Sequence, residues 1–185
     1  MKKLNISPSF WVMVAVVWLV ESDLLAPTLF AAAVHELGHV IALFAVGGRV
    51  ESFTLTALGG ELCLSAGLTY ARELPAALAG PLCSLALAWA AAWRGHFLTA
   101  GISLALGLFN LLPVGGLDGG RTVSCLCGMC LSPLAAQRVE QICSAVALGV
   151  LLALGGICLA RNFGPGLLCV GLWLGWRTLR PEKKP

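Results

Sequence analysis

Residues 24–46 read Leu-Leu-Ala-Pro-Thr-Leu-Phe-Ala-Ala-Ala-Val-His-Glu-Leu-Gly-His-Val-Ile-Ala-Leu-Phe-Ala-Val. The run is long and apolar enough to cross a bilayer as a helix, which takes about 20 residues. Near its middle it carries His35, Glu36 and His39. On a helix, positions i and i+4 lie on one face, so both imidazoles can reach one metal ion, with Glu36 beside them as a base. The alternative is a pair of core histidines held by hydrogen bonds. It fits poorly, because ionisable side chains at mid-span are costly in lipid and default to a functional reading. Two of the chain's three histidines lie in this one motif.

The rest of the 185-residue chain supports a membrane reading. It is 58% hydrophobic and 11% charged, with a mean hydropathy of +0.89. Soluble domains average about 25% charged residues. Further apolar stretches fall at 6–20, 75–93, 97–112, 139–160 and 163–176, giving an α-helical polytopic protein of about six spans in a single domain. The first stretch resembles a secretory signal behind Lys2 and Lys3. Glu21, Ser22 and Asp23 follow it without a small-residue cleavage pattern, so it reads as an uncleaved anchor. The twelve Lys and Arg are spread along the chain and form no basic stripe for nucleic acid.

Those twelve set an orientation. With the N-terminus in the cytoplasm, Lys2, Lys3, Arg49, Arg72, Arg121, Arg138, Arg177, Arg180, Lys183 and Lys184 share that side, leaving Arg94 and Arg161 outside. By the positive-inside rule both termini are cytoplasmic. Residues 50–66 break the helical pattern. Phe53, Leu55 and Ala57 alternate with Ser52, Thr54 and Thr56, and Gly59-Gly60 suits a two-residue turn, so a small hairpin at the membrane surface is expected.

Of the eight cysteines, Cys63, Cys83, Cys143, Cys158 and Cys169 stand singly in apolar or strand-like stretches and read as small hydrophobes. Cys125, Cys127 and Cys130 are close together but have no fourth ligand nearby. Packing explains them better than a metal or redox site.

A hydrolytic zinc site needs a third protein ligand and an open position. Glu21, Asp23 and His96 fall in outer connectors, Glu51, Glu61 and Glu73 in the hairpin region, and Glu140 and Glu182 at helix ends. Asp118 remains, in Asn110-Leu-Leu-Pro113-Val-Gly-Gly-Leu-Asp118-Gly-Gly-Arg121. Pro113 should end the fourth span, and Gly115, Gly116, Gly119 and Gly120 should permit irregular backbone there. The second and fourth spans run in the same direction. His39 lies seven residues before the inner end of its span, about 10 Å along the helix, where a returning Asp118 can meet it.

His35-Glu36-Leu37-Gly38-His39 on the second span and Asn110-x-x-Pro113-x-x-x-x-Asp118-Gly119 on the fourth together resemble the site-2 protease family of intramembrane zinc metalloproteases. Ala79-Gly80-Pro81, expected to open the third span, resembles the family's pattern as well. The resemblance implies that His35, His39 and Asp118 bind one zinc ion, that Glu36 is the catalytic base, and that Asn110 positions the substrate. It also implies cleavage of a membrane-tethered protein within or beside its transmembrane segment. The compact layout, with neither a PDZ nor a CBS domain, is most similar to the sporulation-type branch, whose members cleave precursors such as a pro-sigma factor. The rival reading is a membrane metal-binding or transport protein, which has no need of Glu36 between the histidines.

Overall fold

The computed structural model describes residues 3–48, 50–56, 59–64 and 67–179. They form two compact units, one ending at Leu111 and the other beginning at Leu112. The first comprises β1 (Lys3–Ile6), α1 (Pro8–Val20), α2 (Ser22–Ala45), β2 (Val50–Thr56), β3 (Gly59–Leu64), α3 (Tyr70–Trp93) and α4 (Phe97–Asn110). The second comprises α5 (Asp118–Cys130), α6 (Pro133–Ala160) and α7 (Gly166–Leu179).

Each expected span coincides with a helix. Among the described residues, α2, α3 and α6 are long and apolar enough to cross a membrane. Helices α1, α4 and α7 have 13, 14 and 14 residues. At 1.5 Å per residue each reaches about 20 Å, short of the roughly 30 Å hydrocarbon core. Helix α3 starts at Tyr70 rather than at 75, so Ala79-Gly80-Pro81 lies well inside it instead of opening it. Helix α5 was not expected. Its sequence, Asp-Gly-Gly-Arg-Thr-Val-Ser-Cys-Leu-Cys-Gly-Met-Cys, is too short and too polar in its first half to read as a span.

Large apolar side chains are turned outward, and small residues fill the interior. Trp89, Trp93, Phe97, Leu134 and Phe163 are exposed, whereas Ala31, Ala77, Ala88, Ala91, Ser84 and Ser103 are buried. That inversion is how helices pack when lipid is the solvent, since small residues let backbones approach closely. A Cβ on Gly38 of α2 would crowd the Ala79 carbonyl and Cys83 of α3. One on Gly107 of α4 would press on Ser84 and the Pro81 carbonyl. Helices α2, α3 and α4 thus pack almost backbone to backbone around the middle of α3.

The hairpin is present, with two differences from its sequence reading. β2 and β3 pair antiparallel, with Thr56 opposite Gly59, Leu55 opposite Gly60, Thr54 opposite Glu61 and a register irregularity between Val50 and Ser52. Gly59 and Gly60 are therefore the first residues of β3 and not the turn; residues 57 and 58, which join the strands, lie outside the described residues. β1 pairs with β2 in parallel, so the sheet is three-stranded in the order β1-β2-β3. β2 is central, and β3 presents an open edge of the sheet.

In the second unit, Val114 and Leu174 are fully buried. The Gly115 N–H donates to Ser144 Oγ of α6 at 2.9 Å, and Gly116 takes a positive φ of 85° beside the Arg177 guanidinium of α7. The backbone is irregular only before Asp118. Gly119 and Gly120, expected to be irregular, form the first turn of α5, where a Cβ on Gly120 would collide with the Val114 carbonyl. Close approach, not backbone freedom, explains Gly120. Cys125, Cys127 and Cys130 lie along α5, buried, half-buried and exposed in turn.

Candidate metal centre

Helix α2 places His35 and His39 one turn apart, both nearly buried. Their Nε2 atoms lie 3.2 Å apart, with the rings edge to face at 77°. Each Nδ1 is held by α3: that of His39 is 2.7 Å from the Ala76 carbonyl, and that of His35 is 2.9 Å from Ser84 Oγ. A carbonyl only accepts, so His39 carries its proton on Nδ1 and, when neutral, directs an Nε2 lone pair toward His35. Two imidazoles anchored through Nδ1, with Nε2 atoms converging, form the usual metal-binding arrangement of histidine, in which the second nitrogen is fixed by a hydrogen bond. Two ligands at Zn–N distances of roughly 2.0–2.1 Å in tetrahedral geometry stand about 3.3 Å apart. The observed separation fits.

Gly80 makes room for this pair. A Cβ there would fall on the His39 ring.

The Glu36 carboxylate faces the sheet. Its Oε1 accepts the Gly60 N–H at 2.7 Å, and a Cβ on Gly59, whose φ is +123°, would meet the same oxygen. In an antiparallel strand alternate N–H groups point to opposite sides. Since the Gly60 N–H reaches Glu36, those of Leu62 and Leu64 share its outward direction, along the open edge of β3. Asn110 ends α4, and its Nδ2 donates to the Leu106 carbonyl at 3.0 Å. Asp118 is the first residue of α5, in the second unit, half-buried at a helix N-terminus that favours its negative charge. The structure thus brings His35, His39 and Glu36 together with the start of β3.

Two family models match the chain: "Peptidase M50B-like" over residues 10–115 and "Peptidase family M50" over residues 89–154. The chain belongs to peptidase family M50. This M50 chain is 35% identical over 190 residues to "Putative zinc metalloprotease Rip3" of Mycobacterium tuberculosis, the match covering 87% of the chain and 45% of that protein. It is 38% identical over 109 residues to "Putative zinc metalloprotease sll0528" of Synechocystis, covering 51% of the chain and 29% of the relative. The chain therefore spans less than half the length of these curated relatives. Among solved structures, the site-2 protease from Methanocaldococcus jannaschii has the same fold, with a TM-score of 0.69 at 19% identity over 98% of this chain and 93% of that one. The M50 chain is accordingly a multi-pass membrane protein.

Sequence reasoning found the histidine pair and its neighbour Glu36 but missed what holds them. Ser84 carried no signal, and a backbone carbonyl such as that of Ala76 has none to give. Gly80 stood inside a noted motif, and its role became visible only with His39 against it.

Proposed function

We propose that this chain is an intramembrane zinc endopeptidase of the site-2 type, acting on membrane-tethered protein substrates within or next to their transmembrane segments. The observation that carries the reading is the pair of Nε2 atoms 3.2 Å apart, each ring anchored through Nδ1, beside a carboxylate on the same turn. His35, His39 and Asp118 hold one zinc ion, so that residues 1–185 act as one catalytic domain, and Glu36 is the base. Bound zinc would supply Lewis-acid polarisation of the scissile carbonyl and a water that ionises near neutral pH. Glu36 takes the proton of the attacking water and passes it to the leaving amine. The Gly60 N–H keeps the carboxylate pointed.

A helical substrate hides its peptide bonds in its own hydrogen bonds, so the segment to be cut must be extended. The edge of β3 offers outward N–H groups beyond Gly60, whose own N–H is bonded to the base, and a substrate strand added there lies next to the catalytic carboxylate. Asn110, with its amide oxygen and one N–H beyond the bond to Leu106, holds the substrate backbone. Both termini face the cytoplasm, as the distribution of basic residues requires.

Glu36→Gln tests the reading: it should keep zinc and lose proteolysis by at least about 100-fold, the lower end for removal of a general base. Asp118→Ala should lose both. Normal cleavage and full zinc content in Asp118→Ala refute the ligand set. A metal transporter, the rival, retains its activity in Glu36→Gln.

A further inference from the structure

Asp118 follows a tight turn that α6 and α7 hold in place. The turn runs from Val114 to Leu117 and is closed by the Leu117 N–H, which donates to the Val114 carbonyl at 3.0 Å. Gly116, third in the turn, takes the positive φ of 85° that this position can demand of glycine. The Leu117 carbonyl then accepts the Arg121 N–H at 3.1 Å, opening α5, and Gly120 in that first helical turn lies against the Val114 carbonyl. Val114 and Leu117 are both buried. Turn and helix start are thus locked together, with Asp118 at their junction, so whatever fixes the turn also fixes the backbone of Asp118.

Two side chains from outside the turn do this. Pro113 has no N–H, and those of Val114 and Leu117 bond within the loop, to the Leu112 and Val114 carbonyls. The Gly115 N–H instead reaches out to Oγ of the buried Ser144 on α6, at 2.9 Å. On α7 the Arg177 guanidinium lies over Gly116, its Cζ 3.5 Å and its Nε 3.6 Å from where a Cβ would stand. The same guanidinium is 5.9 Å from the ring centroid of Trp173, one turn earlier, within cation–π range.

We infer that Ser144 and Arg177 are positioning residues for Asp118, setting its place from two helices that supply no ligand themselves. His35 and His39 share one helix, so α2 alone sets their spacing. Asp118 arrives on a separate segment, and zinc takes a carboxylate oxygen only at about 2.0–2.2 Å. Adjacent glycines at 115 and 116 give the approach to Asp118 more backbone freedom than that tolerance allows. The hydroxyl on Gly115 and the guanidinium on Gly116 remove it.

The inference rests on the ligand role proposed for Asp118, and one set of variants separates the two. Zinc affinity of the full chain in detergent is measured by chelator competition, with thermal unfolding alongside. Ser144→Ala deprives the Gly115 N–H of its acceptor and should weaken zinc about tenfold, the lower end of what a ligand's outer support contributes. Arg177→Lys keeps the charge but loses the planar guanidinium, and should weaken zinc by less. Gly155→Ala is the structural control. Its methyl strikes the Leu168 backbone of α7, about 16 Å along α6 from Ser144, so it should lower the unfolding temperature and leave zinc affinity at the wild-type value. Wild-type affinity in Ser144→Ala, with Asp118→Ala weakened, overturns the inference and leaves the ligand set standing. Equal zinc loss in Gly155→Ala and Ser144→Ala does the same, since the support would then be general stability. Where Ser144→Ala does not fold, Arg177→Lys decides, and unchanged affinity there overturns the inference. Full zinc binding by Asp118→Ala overturns the ligand set and the inference together.

Discussion

Gly80→Ala places a methyl group on the His39 imidazole, and neither side can yield easily. The His39 ring is tied by its Nδ1 to the Ala76 carbonyl, one turn before Gly80 on α3, at 2.7 Å. Moving α3 away from the methyl would open the close contact that Gly38 of α2 makes with the Ala79 carbonyl and Cys83. Either the ring turns and loses its hydrogen bond, or α2 and α3 separate where they are most tightly packed. Overpacking of this kind costs about 1–3 kcal/mol, and a lost buried hydrogen bond about 1 kcal/mol more. If those roughly 2–4 kcal/mol fall on the loaded site, zinc affinity drops about 30- to 1,000-fold, at 1.4 kcal/mol per decade. Chelator competition in detergent measures this directly, alongside thermal unfolding of the metal-free protein. Gly101→Ala on α4 is the control: that glycine is exposed with no atom within 4 Å of an added Cβ, so alanine there should be neutral or stabilise by up to about 1 kcal/mol. If Gly80→Ala binds zinc like wild type and unfolds no earlier than Gly101→Ala, the account of the α2–α3 contact is wrong.

Proline at Leu62 removes an outward N–H of β3, whereas proline at Cys63 removes one directed at β2. Leu62→Pro should therefore reduce cleavage with zinc content unchanged, while Cys63→Pro should destabilise the sheet; full cleavage by a folded Leu62→Pro protein would exclude substrate pairing along β3. Asn110→Ala should slow turnover about tenfold, the effect of one lost hydrogen bond near the upper end of the net range, without altering metal content, and a kinetic comparison with zinc assay checks both. Reporter fusions after Lys184 and between Arg94 and His96 should lie on opposite sides of the membrane; the same side for both contradicts the orientation drawn from basic residues.

The parts of this fold that were legible are those encoded by local periodicity. A 23-residue apolar run with histidines four apart announces both a membrane helix and a shared face, and α2 has both. Alternation across residues 52–57 announced the hairpin. Misplacing its turn has a physical cause: a Gly-Gly pair between strands is a turn signal, but here Gly59, whose φ is +123°, is needed because the Glu36 carboxylate approaches the space its Cβ would fill. A close approach and a tight turn both select glycine, and one sequence cannot tell them apart. β1 is four residues long and pairs in parallel with a strand almost fifty positions away, a partnership without a local signature. Helix α5 carries two glycines in its first turn and only 13 residues in all, so glycines that signal irregular backbone here begin a helix.

What the sequence could not convey about the candidate site is that α3 determines how α2 can act. His35 and His39 on one face are a necessary condition, but an imidazole can rotate, and it can present either nitrogen in either protonation state. The Ala76 carbonyl and the Ser84 hydroxyl fix the rotation of the two rings, and the carbonyl also fixes the protonated nitrogen of His39, from a helix lying 37 to 49 positions further along the chain. They can do so only because Gly38, Gly80 and Gly107 let three helices approach to backbone distance. The small-residue packing required by lipid and the orientation required by a metal thus have one structural origin. A substitution on the buried face of α3 that touches no substrate should therefore disturb metal affinity through the rotation of an imidazole, with the hydrolytic step affected only as a consequence.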